Sequence, residues 1–258
     1  MSDATYVYCL IQSEKPPSLD RAPTGLPGTG RPRAIAAGKG LWLVAADAPL
    51  DRYGEKPIEK GLRDLSWVSI CALPHEAVIE HASRSGTVLP MKLFTLFHGD
   101  ERALEHVAKD RKRIDRLLAR LAGREEWGVR IALDEARALR RAADEARDEA
   151  GGSSGTAFLL RKKKQQDAAR EVIVRGQERA SKVFDELSAR ADDARRRPPP
   201  PGPVGQRVLL DAAFLVAQGK VKPFQGAAKK AAAALAKDGY ELTLTGPWPP
   251  YNFVAESA

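Results

Sequence analysis

Alternation of apolar and polar positions is clearest near the end of the chain. From Tyr240 to Thr245, Tyr240, Leu242 and Leu244 take one face and Glu241, Thr243 and Thr245 the other, which predicts a half-buried strand stopped by Gly246 and Pro247. Pro247, Pro249 and Pro250 then hold the chain extended while Trp248, Tyr251 and Phe253 present large apolar areas. Such an end either docks back on its own domain, the simpler outcome, or is kept for a partner. At the other end Tyr6 to Ile11 is a continuous β-prone run that predicts a buried strand, with Leu41 to Ala46 as its neighbour. Pro16, Pro17, Pro23, Gly25, Pro27, Gly28, Gly30 and Pro32 make the stretch between them a long non-helical connection.

Helical spacing begins with Trp67, Ile70, Cys71, Val78 and Ile79, interrupted by Pro74, so that a kinked helix or two short ones fit the pattern. Thr87 to Phe97 reads as a strand with Pro90 at an edge or bulge. A helix follows with Asp100 and Glu101 at its N-terminus. Leu104, Val107, Ile114, Leu117, Leu118 and Leu121 form its apolar face, and Arg102, Lys109, Lys112, Arg113, Arg116 and Arg120 its basic one. Glu126 to Leu133 closes this half as a strand. Residues 134–150 predict a charged helix with little apolar face, ending in Gly151 to Gly155. A long helix then carries Ala169, Val172, Ile173, Ala180, Val183, Phe184 and Leu187, and stops before Arg195 to Arg197 and the stiff Pro198 to Pro201 run. Val208 to Val216 is a buried strand, and Val221, Phe224, Ala228, Ala231 and Leu235 mark the last helix before the final strand. The expected fold is α+β in two domains, each a small mixed or antiparallel sheet covered by helices in a ferredoxin-like variant. The expected division is 1–133, a connection at 134–155, and 156–258 with the aromatic and proline-rich C-terminal tail.

The 258 residues, 43% hydrophobic and 29% charged, give a globular balance. No apolar run reaches the length of a membrane span, and Met1-Ser2-Asp3 lacks the order of a secretory signal, which predicts a cytoplasmic protein with no membrane span. Cys9 and Cys71 read as packed thiols rather than a disulfide framework. His75, His81, His98 and His106 have no Cys or carboxylate at zinc-ligand spacing, and no nucleophile with its signature turn accompanies them. Neither a catalytic residue, a metal site nor a cofactor site emerges. The net charge of +8 leaves nucleic acid, an acidic partner or a membrane surface open. The basic clusters Arg111 to Arg113, Arg161 to Lys164 and Arg195 to Arg197 read as solvated helix faces. The strand aromatics Tyr6, Tyr8, Phe214 and Tyr240 sit in apolar strands that look covered, unlike the open platform of an RNA-binding sheet.

Five stretches, in order, resemble the gas vesicle protein F/L (GvpL/GvpF) family. They are Val88 to Phe97, where Phe94 stands in place of the usual glycine; Glu126-Trp127-Gly128-Val129; and Gly155 to Lys163, with Phe158 where tyrosine is usual. Leu210 to Val216 and the end Thr245-Gly246-Pro247-Trp248-Pro249-Pro250-Tyr251-Asn252-Phe253 complete the set. The resemblance implies a non-enzymatic accessory or minor structural protein at the gas vesicle. Its partners would be the small, very hydrophobic shell subunit and other gas vesicle accessory proteins, with nucleic acid not expected. Trp248, Tyr251 and Phe253, together with the basic Arg161, Lys162 and Lys163, are the candidate partner contacts, the aromatics alternatively serving tail docking. The competing expectation is a two-domain basic RNA-binding or regulatory protein with salt-dependent binding to nucleic acid.

Overall fold

The computed structural model describes residues 3–135, 140, 155–202 and 205–254. Two compact units divide them: Met1–Glu125 with Trp248–Ala258, and Glu126–Pro247.

In the first unit β1 (Asp3–Gln12) lies between β3 (Leu41–Pro49) and β4 (Thr87–Pro90), and β2 (Arg33–Ala36) extends the sheet beyond β3 in the order β2-β3-β1-β4. The pairs β1–β3, β1–β4 and β2–β3 are antiparallel. Strand β2 lies inside the stretch expected as a long non-helical connection, in which the sequence pattern singles out no strand. It is short and only half-buried, so its pattern is too weak to read. Thr87 to Phe97 is not one strand. It pairs with β1 through β4, turns over Met91 to Thr95, and pairs again through β5 (Leu96–Phe97). The φ of +65° at Phe94 breaks the extended run, so the residue in the usual glycine position keeps a glycine-like backbone.

Short helices α1 (Leu50–Tyr53) and α2 (Glu55–Gly61) lead into α3 (Leu65–Ser83), which runs through Pro74 as one helix. Its inner side, Cys71, Val78, Ile79 and Ala82, packs on Tyr6, Tyr8, Ile11, Val44, Ala46 and Ala48 of the sheet. The expected single helix after Asp100 is two, α4 (Asp100–Lys109) and α5 (Arg111–Leu121), separated at Asp110. The apolar spacing survives the break because Val107, Ile114, Leu117, Leu118 and Leu121 are all buried. Thr5 Oγ1 donates to Asp100 Oδ1 at 2.6 Å, and the Arg33 guanidinium reaches Asp47 and Asp100 at 2.8 Å, which ties α4 to the sheet.

In the second unit β6 (Arg124–Asp134), α6 (Gly155–Ser188), β7 (Asp193–Arg196), β8 (Gln206–Ala217), α7 (Val221–Ala236) and β9 (Tyr240–Trp248) follow in sequence, and the sheet order is β7-β8-β6-β9. That succession and order are those of the split βαβ, or ferredoxin-like, motif. Trp127, Val129, Ile131, Leu210, Phe214, Val216, Ala180, Leu187, Phe224, Ala228 and Leu235 make its core. The first unit has the same strand order, with the Pro- and Gly-rich stretch 13–32 standing where the first helix would be.

The partition differs from the division expected at 133. β6 belongs to the second sheet, where it lies between β8 and β9, and Phe253 is fully buried in the first unit. Most of the charged helix expected over 134–150 lies outside the described residues.

Candidate protein-docking surface

Helix α3 is apolar on more sides than one core can use. From Leu65 to His75 it carries no Asp, Glu, Lys or Arg. Asp64 caps it, accepting the Ser66 N–H at 2.9 Å, and Cys71, His75, Val78, Ile79 and Ala82 turn inward. On the outer side Leu65 is 82% exposed, Leu73 73% and Ile70 55%, and Leu62, just ahead of the helix, is 55% exposed. Ile70, read from the sequence as part of the core stripe, is therefore a surface residue. An apolar helix face left in water at three successive turns makes this side of α3 the candidate docking surface. Covering each Leu or Ile would contribute roughly 1.5–3 kcal/mol.

A buried polar network braces this helix. The Tyr6 hydroxyl donates to His75 Nδ1 at 2.8 Å and accepts the Phe94 N–H at 3.2 Å, while His75 Nε2–H donates to the Met91 carbonyl at 3.2 Å. A carbonyl only accepts, so the neutral imidazole carries its proton on Nε2. Burial lowers the pKa of His75 to about 4, and burial raises that of Tyr6. Each partner thus stays neutral, and the turn Met91 to Thr95 hangs on β1 and α3 together. Phe94, held at its positive φ, stacks on Trp67 of α3 with centroids 5.1 Å apart and planes 20° from parallel. On the same face of β1 the Tyr8 hydroxyl accepts the Leu26 N–H at 3.1 Å, and the Tyr53 hydroxyl donates to the Pro27 carbonyl at 2.7 Å. These bonds anchor the Pro- and Gly-rich connection to the core.

The C-terminal aromatics divide between docking and exposure. Phe253 is fully buried, Tyr251 packs against the first core, and Trp248 remains 45% exposed. Tyr251 and Glu76 of α3 influence each other's protonation. Burial raises the pKa of both, and the neighbouring carboxylate adds to the rise at Tyr251. Neither Tyr251 Oη nor Glu76 Oε1 makes a hydrogen bond of normal geometry, so the two are close but not well aligned. Of the basic candidates Lys163 is exposed on α6 in the second unit, and the side chains of Arg161 and Lys162 lie outside the described residues.

Sequence reasoning passed over Leu62, Leu65 and Leu73. The usable signal was the uncharged run 65–75, apolar on both sides of the helix. The basic clusters at 111–113 and 195–197 are partly absorbed into the fold. Arg111 pairs with Asp115 at 2.9 Å and donates to the carbonyls of Ala37 and Lys39, and Arg197 pairs with the buried Asp211 at 2.9 Å. Arg196 lies over the Phe184 ring at 4.2 Å. Tyr6, Tyr8, Phe214 and Tyr240 are buried, so they offer no stacking platform for bases. Among the described residues no group of His, Cys, Asp and Glu is placed to hold a metal, and no helix is long and apolar enough to cross a membrane.

The described residues thus form two α+β units of ferredoxin-like strand order, one of which displays an exposed apolar helix face. More particularly, the chain belongs to the GvpL/GvpF family of gas vesicle synthesis proteins, whose model matches residues 4–255. It is 30% identical to gas vesicle protein L of Streptomyces sp. strain CB03234, over 96% of this chain and 91% of that one. With gas vesicle protein F of the same strain it shares 27% identity over 97% of this chain and 99% of the other. The crystal structure of GvpF from Anabaena sp. PCC7120 superimposes with a TM-score of 0.72 at 19% identity, covering 100% of this chain and 98% of that chain, which shows a shared fold.

Proposed function

We propose that this chain binds the small, very hydrophobic shell subunit of the gas vesicle in the cytoplasm and keeps it from aggregating before or during assembly. It acts by contact and performs no reaction. The observation that supports this reading is the uncovered face of Leu62, Leu65, Ile70 and Leu73, whose natural complement is another uncharged apolar surface. Trp248 is the one tail aromatic with enough free surface to add to such a contact, since Tyr251 and Phe253 are taken up by docking.

Co-expression with the shell subunit, followed by sedimentation and pull-down, tests it. The wild-type chain is expected to hold shell subunit in the soluble fraction and to co-purify with it. The double substitution Leu65→Ser and Leu73→Ser changes exposed side chains and is expected to leave folding intact while losing the complex. Equal aggregation of the shell subunit with and without the chain would end the direct-binding reading.

A further inference from the structure

Among the described residues the two sheets leave five edge strands, one of them the two-residue β5, and four carry the usual blocks against pairing with another chain. Strand β2 is four residues long and begins with Arg33, β4 is four residues long and ends on Pro90, and β7 is Asp193-Ala194-Arg195-Arg196. Strand β9 is different. It runs nine residues from Tyr240 to Trp248 with Glu241 as its single charge, and Glu241, Thr243 and Thr245 are exposed on the face away from the helices. A long edge of mostly Thr and Leu, with one charge and its proline held back to Pro247, offers a row of main-chain groups to a partner strand.

We propose that the partner of β9 is β9 of a second copy of this chain, joined antiparallel about a two-fold axis at Thr243. Residues directly opposite in an antiparallel pair share a face, so the helix-side residues of one copy must meet helix-side residues of the other. That condition places the axis on a residue. An axis on Glu241 would set like charges against each other, one on Leu244 would bring Pro247 and its missing donor into the ladder, and one on Leu242 would leave Thr245 and Gly246 unused. The axis on Thr243 avoids all three. It sets Leu242 against Leu244 on the helix side, Tyr240 over Gly246, and Glu241 against Thr245 on the open side, with Thr243 meeting its own counterpart. The result is one sheet continuous through both second units and an isologous interface.

Sedimentation of the full chain over a concentration series, with two variants, tests the register and the association together. The wild type is expected to show a reversible monomer–dimer equilibrium. Thr243→Lys, which sets two ammonium groups across the axis, is expected to raise the dimer Kd about tenfold or more with an unchanged circular dichroism spectrum. Thr243→Cys is expected to form a disulfide-linked dimer under mild oxidation, and Glu241→Cys is not, because residue 241 meets 245 and not itself; the native Cys9 and Cys71 are buried and stay out of the reaction. A wild type that stays monomeric at millimolar concentration, a dimer indifferent to Thr243→Lys, or cross-linking of Glu241→Cys as efficient as that of Thr243→Cys would each overturn the proposal.

Discussion

Replacing His75 with Gln should make the first unit more tolerant of acid. His75 is 3% exposed and its folded pKa is lowered from 6.5 to about 4 by burial, because the site holds the neutral ring between a tyrosine hydroxyl and a carbonyl. Above pH 6.5 both folded and unfolded states are neutral and the residue is silent. As pH falls toward 4 the unfolded chain takes a proton that the folded one refuses, so stability is lost across that window. Linkage with these two values gives a loss of about 2 kcal/mol between pH 7 and pH 5. Gln can accept from Tyr6 through its oxygen and donate to Met91 through its nitrogen without titrating, at a cost of roughly 1 kcal/mol at pH 7. Glu76, next in the chain, works in the opposite sense, since burial raises its pKa and the folded state protonates first; it is common to both proteins and cancels in the difference. The assay is a set of urea melts from pH 7 to pH 5 in a Trp127→Phe background, which leaves Trp42, Trp67 and Trp248, all in the first unit, as the fluorescent reporters. The His75→Gln curve should fall less steeply than the wild type by the predicted amount. Parallel curves over this range would refute the claim that His75 is buried as a neutral acceptor.

Two further substitutions probe the bracing of the same unit. Gly25→Ala should destabilise by about 2 kcal/mol or more in thermal melts, because the backbone sits at φ +78° and the added Cβ would lie 2.0 Å from the Tyr8 hydroxyl that holds Leu26. Phe253→Ala empties a fully buried site and should cost about 3–5 kcal/mol in denaturant melts; a loss below 1 kcal/mol would show that the tail contributes little to the first core.

How much of this was legible beforehand depended on whether the deciding forces were local. Strands β1, β3, β6, β8 and β9 and helices α6 and α7 follow from period and composition alone, since each carries one continuous apolar face and a turn residue at its end. Strand β2 and the edge strand β7 escaped because a four-residue edge strand owes its existence to its neighbour, Leu41–Pro49 in one case and Gln206–Ala217 in the other, rather than to its own pattern. The periodicity of α3 named Cys71, Val78 and Ile79 as core correctly. It could not say that Leu62, Leu65, Ile70 and Leu73 would be left uncovered, because exposure depends on which elements pack around a helix and the sheet takes only one of its sides. Phe94 is the same lesson at one residue. The sequence by itself determined that a large aromatic sits where the related pattern has glycine. The tertiary structure decided that the backbone would hold φ +65° nonetheless, since the Tyr6 hydroxyl holds its N–H and Trp67 stacks on its ring. The aromatic tail was determined by sequence to be too apolar for a solvated end. Where it docks was settled by distance through space: Phe253 and Tyr251 reach the first unit while β9, a few residues earlier, closes the second.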